Sequence, residues 1–108
     1  ESEQMAQVAN EYAQKQQREQ EMMAQIHRLV DLETEKLQHI ADNAASYVVF
    51  CQQLQNLWES QAQVRDSLAN CYADNPDLKH KCIQIWALEF TTRVMQFDSQ
   101  VKQTKSLH

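Results

Sequence analysis

The stretch SLANCYADNPDLKHKC, residues 67–82, contains the only proline of the chain and two of its three cysteines. Asn75 has a side chain suited to an N-cap, and Pro76 suits the first position of a helix. The negative charge of Asp77 is favourable near the positive end of the helix dipole. The residue before a proline is disfavoured in helical geometry, so the preceding helix must end by about Asp74. We therefore predict a sharp reversal at residues 74–76 between two helices.

Apolar residues follow a helical 3-4 spacing on both sides of this turn. The chain has no glycine and 17 glutamines, which favours long helices with few turns. We predict an all-α fold, a long antiparallel helical hairpin of two to three helices with coiled-coil-like packing and helices over 44–73 and 76–106. Gln61 is the only polar residue in the first stripe, where it could fix the register.

Residues 1–43 form a polar arm rich in Gln and Glu. A helical stripe runs through Met22, Ile26 and Val30 and is interrupted at Glu33, whereas residues 10–21 are nearly all polar. We expect this arm to be the weakest helix, either frayed or ordered only by a partner. A second break is expected at residues 41–46, and the arm either extends the following helix or folds back.

Charge and hydropathy restrict the classes of partner. Residues 1–42 carry nine acids and four bases, while residues 77–108 carry three acids and five bases, so the first arm could pair with the last helix. The basic residues of the last third are too dispersed for a nucleic-acid surface, and no apolar run is long enough for a membrane span. The chain begins ESEQM, so we expect a mature or trimmed fragment whose targeting signal is not in view.

Cys71 and Cys82 lie at similar distances from the reversal, so an antiparallel hairpin could bring them together as a disulfide. Two alternatives stay open: a pair of buried reduced thiols, or a metal site in which His80 and either Asp74 or Asp77 join the two cysteines. The spacing of these residues does not suit structural zinc. Cys51 has no obvious partner and is expected to be a buried thiol.

The segment CYADNPDLKHKC resembles the centre of a CHCH domain, the twin C-x9-C helical hairpin of the mitochondrial intermembrane space, and is most similar to the cristae-organising Mic19 type. Cys71–Tyr72 would end the first helix of that hairpin, and Lys81–Cys82 would open the second. The resemblance implies a Cys71–Cys82 disulfide. Gln61 and Thr92 occupy the positions of the outer cysteine pair, so only an inner bridge could form.

No Gly-rich phosphate loop or catalytic motif is present, so we expect no enzymatic activity, no cofactor and no metal. We predict an interaction or scaffold module that docks partner helices, as a homo- or hetero-oligomer, in an oxidising compartment: the mitochondrial intermembrane space or a bacterial periplasm. The alternatives are an envelope or secretion subunit, a cytoplasmic coiled-coil subunit with free thiols, and a bundle that binds small hydrophobic ligands. The predicted contact surface is on the last helix, at Trp86, Phe90, Val94 and Phe97.

Overall fold

A computed structural model describes all residues, 1–108, as three helices joined by two short turns. Helix α1 spans Ser2–Asn43, α2 spans Tyr47–Asn70 and α3 spans Pro76–Thr104, with no strands. The all-α prediction is confirmed. Helix α1 folds back against the hairpin of α2 and α3 instead of extending α2, and the three helices form a rod of 70 × 22 × 16 Å. Both α1 and α3 run antiparallel to α2.

The reversal between α2 and α3 lies where the sequence predicts it. Turn residues follow Asn70, and α3 begins at Pro76. Asn75 caps α3 because its side-chain oxygen accepts a hydrogen bond from the Leu78 backbone N–H at 3.2 Å. Proline at the first position and Asp77 in the first turn complete a strong helix start.

The break between α1 and α2 is confined to residues 44–46. Ser46 caps α2 by accepting a hydrogen bond from the Val49 backbone N–H at 3.3 Å. The residues after α3 also pair with this turn, because the Tyr47 N–H donates to the Ser106 carbonyl at 2.7 Å and the Val48 N–H to the Leu107 carbonyl at 3.1 Å. These bonds satisfy backbone donors that a helix start leaves unpaired.

The core consists of two apolar clusters along the rod. One surrounds Phe50 and contains residues of all three helices; the other surrounds Met22 and Ile26 and includes Tyr72 and Cys82. Because α1 contributes to both clusters, residues 22–41 pack as one unit with the hairpin.

A buried polar pair interrupts the apolar stripes of α1 and α2. Glu33 and Gln61 are each 4% exposed, and the Gln61 side-chain amide donates a hydrogen bond to the Glu33 carboxylate. Lys36 also donates to this carboxylate at 3.0 Å. The Gln61 carbonyl oxygen has no hydrogen-bond partner. Gln61 is therefore a buried polar residue of the helix seam, as the sequence indicates, and its partner is the glutamate that breaks the stripe of α1.

Candidate docking surface

Helix α1 is longer than the hairpin against which it packs. Arg18 donates to both oxygens of the Asp74 carboxylate, at 2.6 and 2.7 Å, and to the Cys71 carbonyl at 3.2 Å. Glu19 pairs with Lys81 near the start of α3. These contacts place Arg18 level with the α2–α3 turn. Residues 2–17, the N-terminal extension, are helical and all exposed. Glu11, Gln14 and Lys15 still line a shallow cleft with the start of α3, so only residues 2–10 continue past the hairpin, for about 14 Å.

An apolar stripe runs along the N-terminal extension. Met5, Val8 and Tyr12 are 74%, 64% and 62% exposed. Their 3-4 spacing is in phase with Met22 and Ile26, which are fully buried, so all five side chains lie on one face of α1. Helices α2 and α3 cover this face in the bundle and leave it uncovered in the extension.

The N-terminal extension is also acidic towards its free end. Residues 1–14 carry Glu1, Glu3 and Glu11 and no basic residue, and the first cations along the chain are Lys15 and Arg18. The guanidinium of Arg18 is held by Asp74, and this hydrogen bond lowers the pKa of the Asp74 carboxyl. The extension therefore presents an apolar stripe with an acidic free end, whereas near the hairpin Lys15 and Arg18 lie in one cleft with Glu11, Glu19 and Asp77.

The contact surface predicted on α3 needs correction. Trp86, Phe90, Val94 and Phe97 are all buried within the bundle, where they pack against α1 and α2. Their spacing is typical of a helix face that packs in a core. The sequence did not indicate which segment covers this face, and in the structure α1 folds back and covers it. These four side chains are not available to a partner of the folded chain.

The cysteines are free in this structure, so the predicted Cys71–Cys82 disulfide is not formed. Cys71 is exposed at the end of α2, and its thiol donates weakly to the Ser67 carbonyl at 3.6 Å. Cys82 is buried in the core, and its burial, together with the neighbouring Cys71, raises the pKa of its thiol. One cysteine is exposed and the other is buried, although the two residues flank one turn. Cys51 is half-buried.

The alternative metal site is not assembled either. No group of three or more His, Cys, Asp or Glu side chains is arranged to hold an ion. The carboxylate of Asp74 is engaged by Arg18, on the side of the turn that faces α1.

A cleft of about 190 Å³ between α2 and α3 is the feature closest to the predicted ligand cavity. Its walls include Trp58, Trp86 and Phe90, and the Trp58 ring lies 5.4 Å from that of Phe90. Trp86 and Phe90 are nevertheless core residues, and only Trp58 is substantially exposed. Helix hydropathy, finally, gives no segment that would traverse a lipid bilayer.

Sequence reasoning overlooked the stripe of the N-terminal extension. Met5, Val8 and Tyr12 are three apolar residues among many polar ones, so the sequence of the arm at residues 1–43 resembled a frayed helix. The signal was the phase of the spacing, since Met5, Val8 and Tyr12 continue the heptad of Met22.

In comparisons with known proteins, no family model, curated protein or solved structure matches this chain. Function is therefore inferred from the surface described above.

Proposed function

We propose that this chain is a non-enzymatic helical interaction module that docks a partner helix in a multi-subunit assembly. The observation that carries this proposal is the exposed stripe of Met5, Val8 and Tyr12 on a helix that is otherwise covered by α2 and α3. An isolated helix with few tertiary contacts is marginal in water, so this segment gains most from a partner.

The spacing of the stripe supports a helix as the partner. Residues at 3-4 spacing form a narrow seam, which matches the seam of another helix in coiled-coil packing. The docking proposal thus extends the packing already present between α1 and the hairpin.

The absence of a catalytic role belongs to the same proposal. His27 and Glu89 form a histidine–carboxylate pair with 3.0 Å between Nε2 and Oε1, and more than half of the His27 side chain is exposed. Such a pair in open solvent lacks the enclosure that catalytic acids and bases need. We interpret it as a surface link between α1 and α3.

The CHCH resemblance remains a proposal for the family and the compartment. The helix ends at residues 70 and 76 support it, because the two cysteines flank a turn between antiparallel helices. The free thiols do not support it. If the chain resides in the mitochondrial intermembrane space or a periplasm, oxidation would have to join Cys71 and Cys82; with three free thiols, a cytoplasmic coiled-coil subunit is the better description.

The ligand-binding alternative has weaker support. The cleft beside Trp58 is small, and two of its aromatic walls already pack in the core. Titration of tryptophan fluorescence with small hydrophobic compounds would reveal a pocket by a saturable change, and no such change is expected.

Site-specific photocrosslinking in the native host tests the docking proposal. A benzophenone amino acid at position 8 should give discrete adducts with a helical protein, identified by mass spectrometry. Position 10 is the matched control, because Asn10 is exposed on the opposite face of the same helix. Equal labelling from both positions, or none from position 8, would contradict docking through this stripe.

A further inference from the structure

We infer that the groove between α1 and α2 is a second docking surface, which binds an amphipathic helix of a partner protein that has an acidic residue beside Arg28 and a basic residue beside Glu35. The groove is separate from the stripe of the N-terminal extension, so this inference does not rest on the docking proposed above. Three features carry it: the loose packing of α1 against α2, two apolar clefts along the groove, and two unpaired charges on its edge.

Helices α1 and α2 form the most open side of the bundle. Each of them packs more closely against α3 than against the other. Two open clefts, of about 650 and 510 Å³, lie between α1 and α2, and no residue of α3 lines either of them. Both clefts therefore open on the face of the bundle that lies away from α3. This face has room for a fourth helix, which would complete a four-helix bundle.

The two clefts lie in line along one groove. The larger cleft is lined by residues 32–40 of α1 and 53–57 of α2, and the smaller one by residues 25–29 of α1 and 63–71 of α2. Because α1 and α2 are antiparallel, the order of the clefts along one helix is the reverse of their order along the other. From residue 25 to residue 40 the groove is about 22 Å long, which is the length of four helical turns.

Each cleft contains three apolar side chains contributed by both helices. They are Leu32, Ile40 and Leu57 in the larger cleft, and Leu29, Val64 and Leu68 in the smaller one. Leu32 is 48% exposed, so it is available to a partner. The middles of the two clefts are about 14 Å apart along α1. A docked helix would therefore reach both clefts with apolar residues at positions i, i+4, i+7 and i+11.

The two edges of the groove differ in charge. The α2 edge is uncharged and carries Gln53, Asn56, Gln63 and Ser67. On the α1 edge Arg28 lies at the smaller cleft and Glu35 at the larger one, and neither forms an ion pair within the chain. These two residues are about 10 Å apart on one side of α1. A partner helix with one acidic and one basic residue at the same spacing would pair with both.

The shape and the charges of the groove favour a separate helix over other occupants. A second copy would face this groove with its own, and two concave surfaces do not fill each other. Nucleic acids and anionic membranes are recognised by clusters of basic residues, whereas this groove has one unpaired cation and one unpaired anion. A narrow apolar groove with charged positions on one edge is instead the usual binding mode of an amphipathic helix.

A synthetic helix tests the inference with the full chain. The probe is a fluorescein-labelled peptide of about 18 residues, with leucines at 3-4 spacing and with a glutamate and a lysine on one edge at the spacing of Arg28 and Glu35. Fluorescence anisotropy should show saturable binding with a dissociation constant on the order of 10 µM. A second peptide, in which lysine replaces the glutamate, should bind about threefold more weakly, because it places a cation beside Arg28.

Variants of the chain assign the surface. Leu32→Asp should raise the dissociation constant of the first peptide at least about tenfold, because it places a charge in the groove. Leu88→Asp is the matched control and should stay within about twofold of the wild type, since Leu88 is 70% exposed on α3 and lies outside both clefts. Arg28→Glu should reverse the preference between the two peptides. Circular dichroism checks the helix content, and Leu32→Gln replaces Leu32→Asp if the charge disturbs the fold.

Each part of the inference can fail in these measurements. No saturable binding up to about 500 µM would overturn the groove as a docking site. Equal effects of Leu32→Asp and Leu88→Asp would overturn its location, and a peptide preference unchanged by Arg28→Glu would overturn the chemistry of the partner.

Sedimentation without peptide examines a second copy as the occupant. A mass that rises with concentration in the wild type and not in Leu32→Asp would overturn the assignment to a separate partner. None of these results depends on the crosslinks from position 8, so the two docking proposals fail separately.

Discussion

The buried pair of Glu33 and Gln61 offers the sharpest test of how the bundle is packed. Both side chains lie between the two apolar clusters, and Gln61 keeps one carbonyl oxygen without a partner. Methionine has a similar length and flexibility to both residues, so Glu33→Met and Gln61→Met replace the polar groups at nearly constant volume. We consider the two single variants and the double variant together.

The expected change in the free energy of unfolding depends on which buried polar groups each variant leaves without a partner. Glu33→Met removes a hydrogen bond to a charged group and leaves the Gln61 amide buried without any partner, so it should destabilise the fold by about 1–3 kcal/mol. Gln61→Met should cost at least as much, because it leaves the buried Glu33 carboxylate with Lys36 as its only hydrogen-bond donor. The double variant joins the two clusters through apolar side chains. Its free energy of unfolding should be higher than that of the wild type by about 1–3 kcal/mol.

Urea denaturation monitored by circular dichroism measures all three free energies of unfolding. Gln63→Met, an exposed change on the same helix, is the control and should stay within about 0.5 kcal/mol of the wild type. The thermal midpoint of the double variant should rise by roughly 4–8 °C for each kcal/mol gained. Additive single effects, or a double variant less stable than Glu33→Met, would refute the proposed coupling across the core.

Three further outcomes are expected. Asn75→Ala should destabilise the bundle by about 0.5–2 kcal/mol in thermal denaturation, because it removes the cap of α3, and an unchanged midpoint would contradict that role. In the native chain a thiol reagent should modify exposed Cys71 much faster than buried Cys82, and equal rates would be evidence against the core position of Cys82. The hydrogen bond to Asp98 raises the pKa of Tyr47 to about 12 from 10.0, so its contribution to stability is complete below pH 10.0 and is lost as pH rises towards 12. Ultraviolet titration should show one phenol that ionises at this raised pH. Asp98→Ala should lower the pKa of Tyr47 towards 10.0, whereas an unchanged titration would contradict the assigned cause.

Local chemistry made the helix boundaries predictable from sequence. Pro76 and Asn75 determine the start of α3 within the chain itself, and Ser46 does the same for α2. These signals depend on neighbouring residues only. The helix ends consequently lie within three residues of the predicted limits of 44–73 and 76–106.

The relation of α1 to the hairpin depends on long-range packing, so the sequence left it open. A stripe such as Trp86, Phe90 and Val94 indicates that a face is covered, but it does not distinguish cover by another part of the same chain from cover by a partner. Because α1 folds back, these residues became core and not contact surface. The same ambiguity concealed the extension, whose stripe is identical in kind but has no intramolecular cover.

The cysteine pair shows a further limit of spacing arguments. Equal distances from a turn place two residues at the same level of a hairpin, but helix rotation decides whether their side chains meet. Here Cys71 is exposed, Cys82 is buried, and both thiols are free. Mass spectrometry of the denatured, unreduced protein from its native source should count three reactive thiols if the state in the structure is the resting one.

Hydrogen exchange of the full chain at low concentration tests the central claim most directly. At about 1 µM, amides of residues 22–41 should be protected by the bundle, while residues 2–10 should exchange rapidly because no other helix lies beside them. Protection of residues 2–10 equal to that of residues 22–41 would contradict the account of a helix end that is left uncovered for a partner.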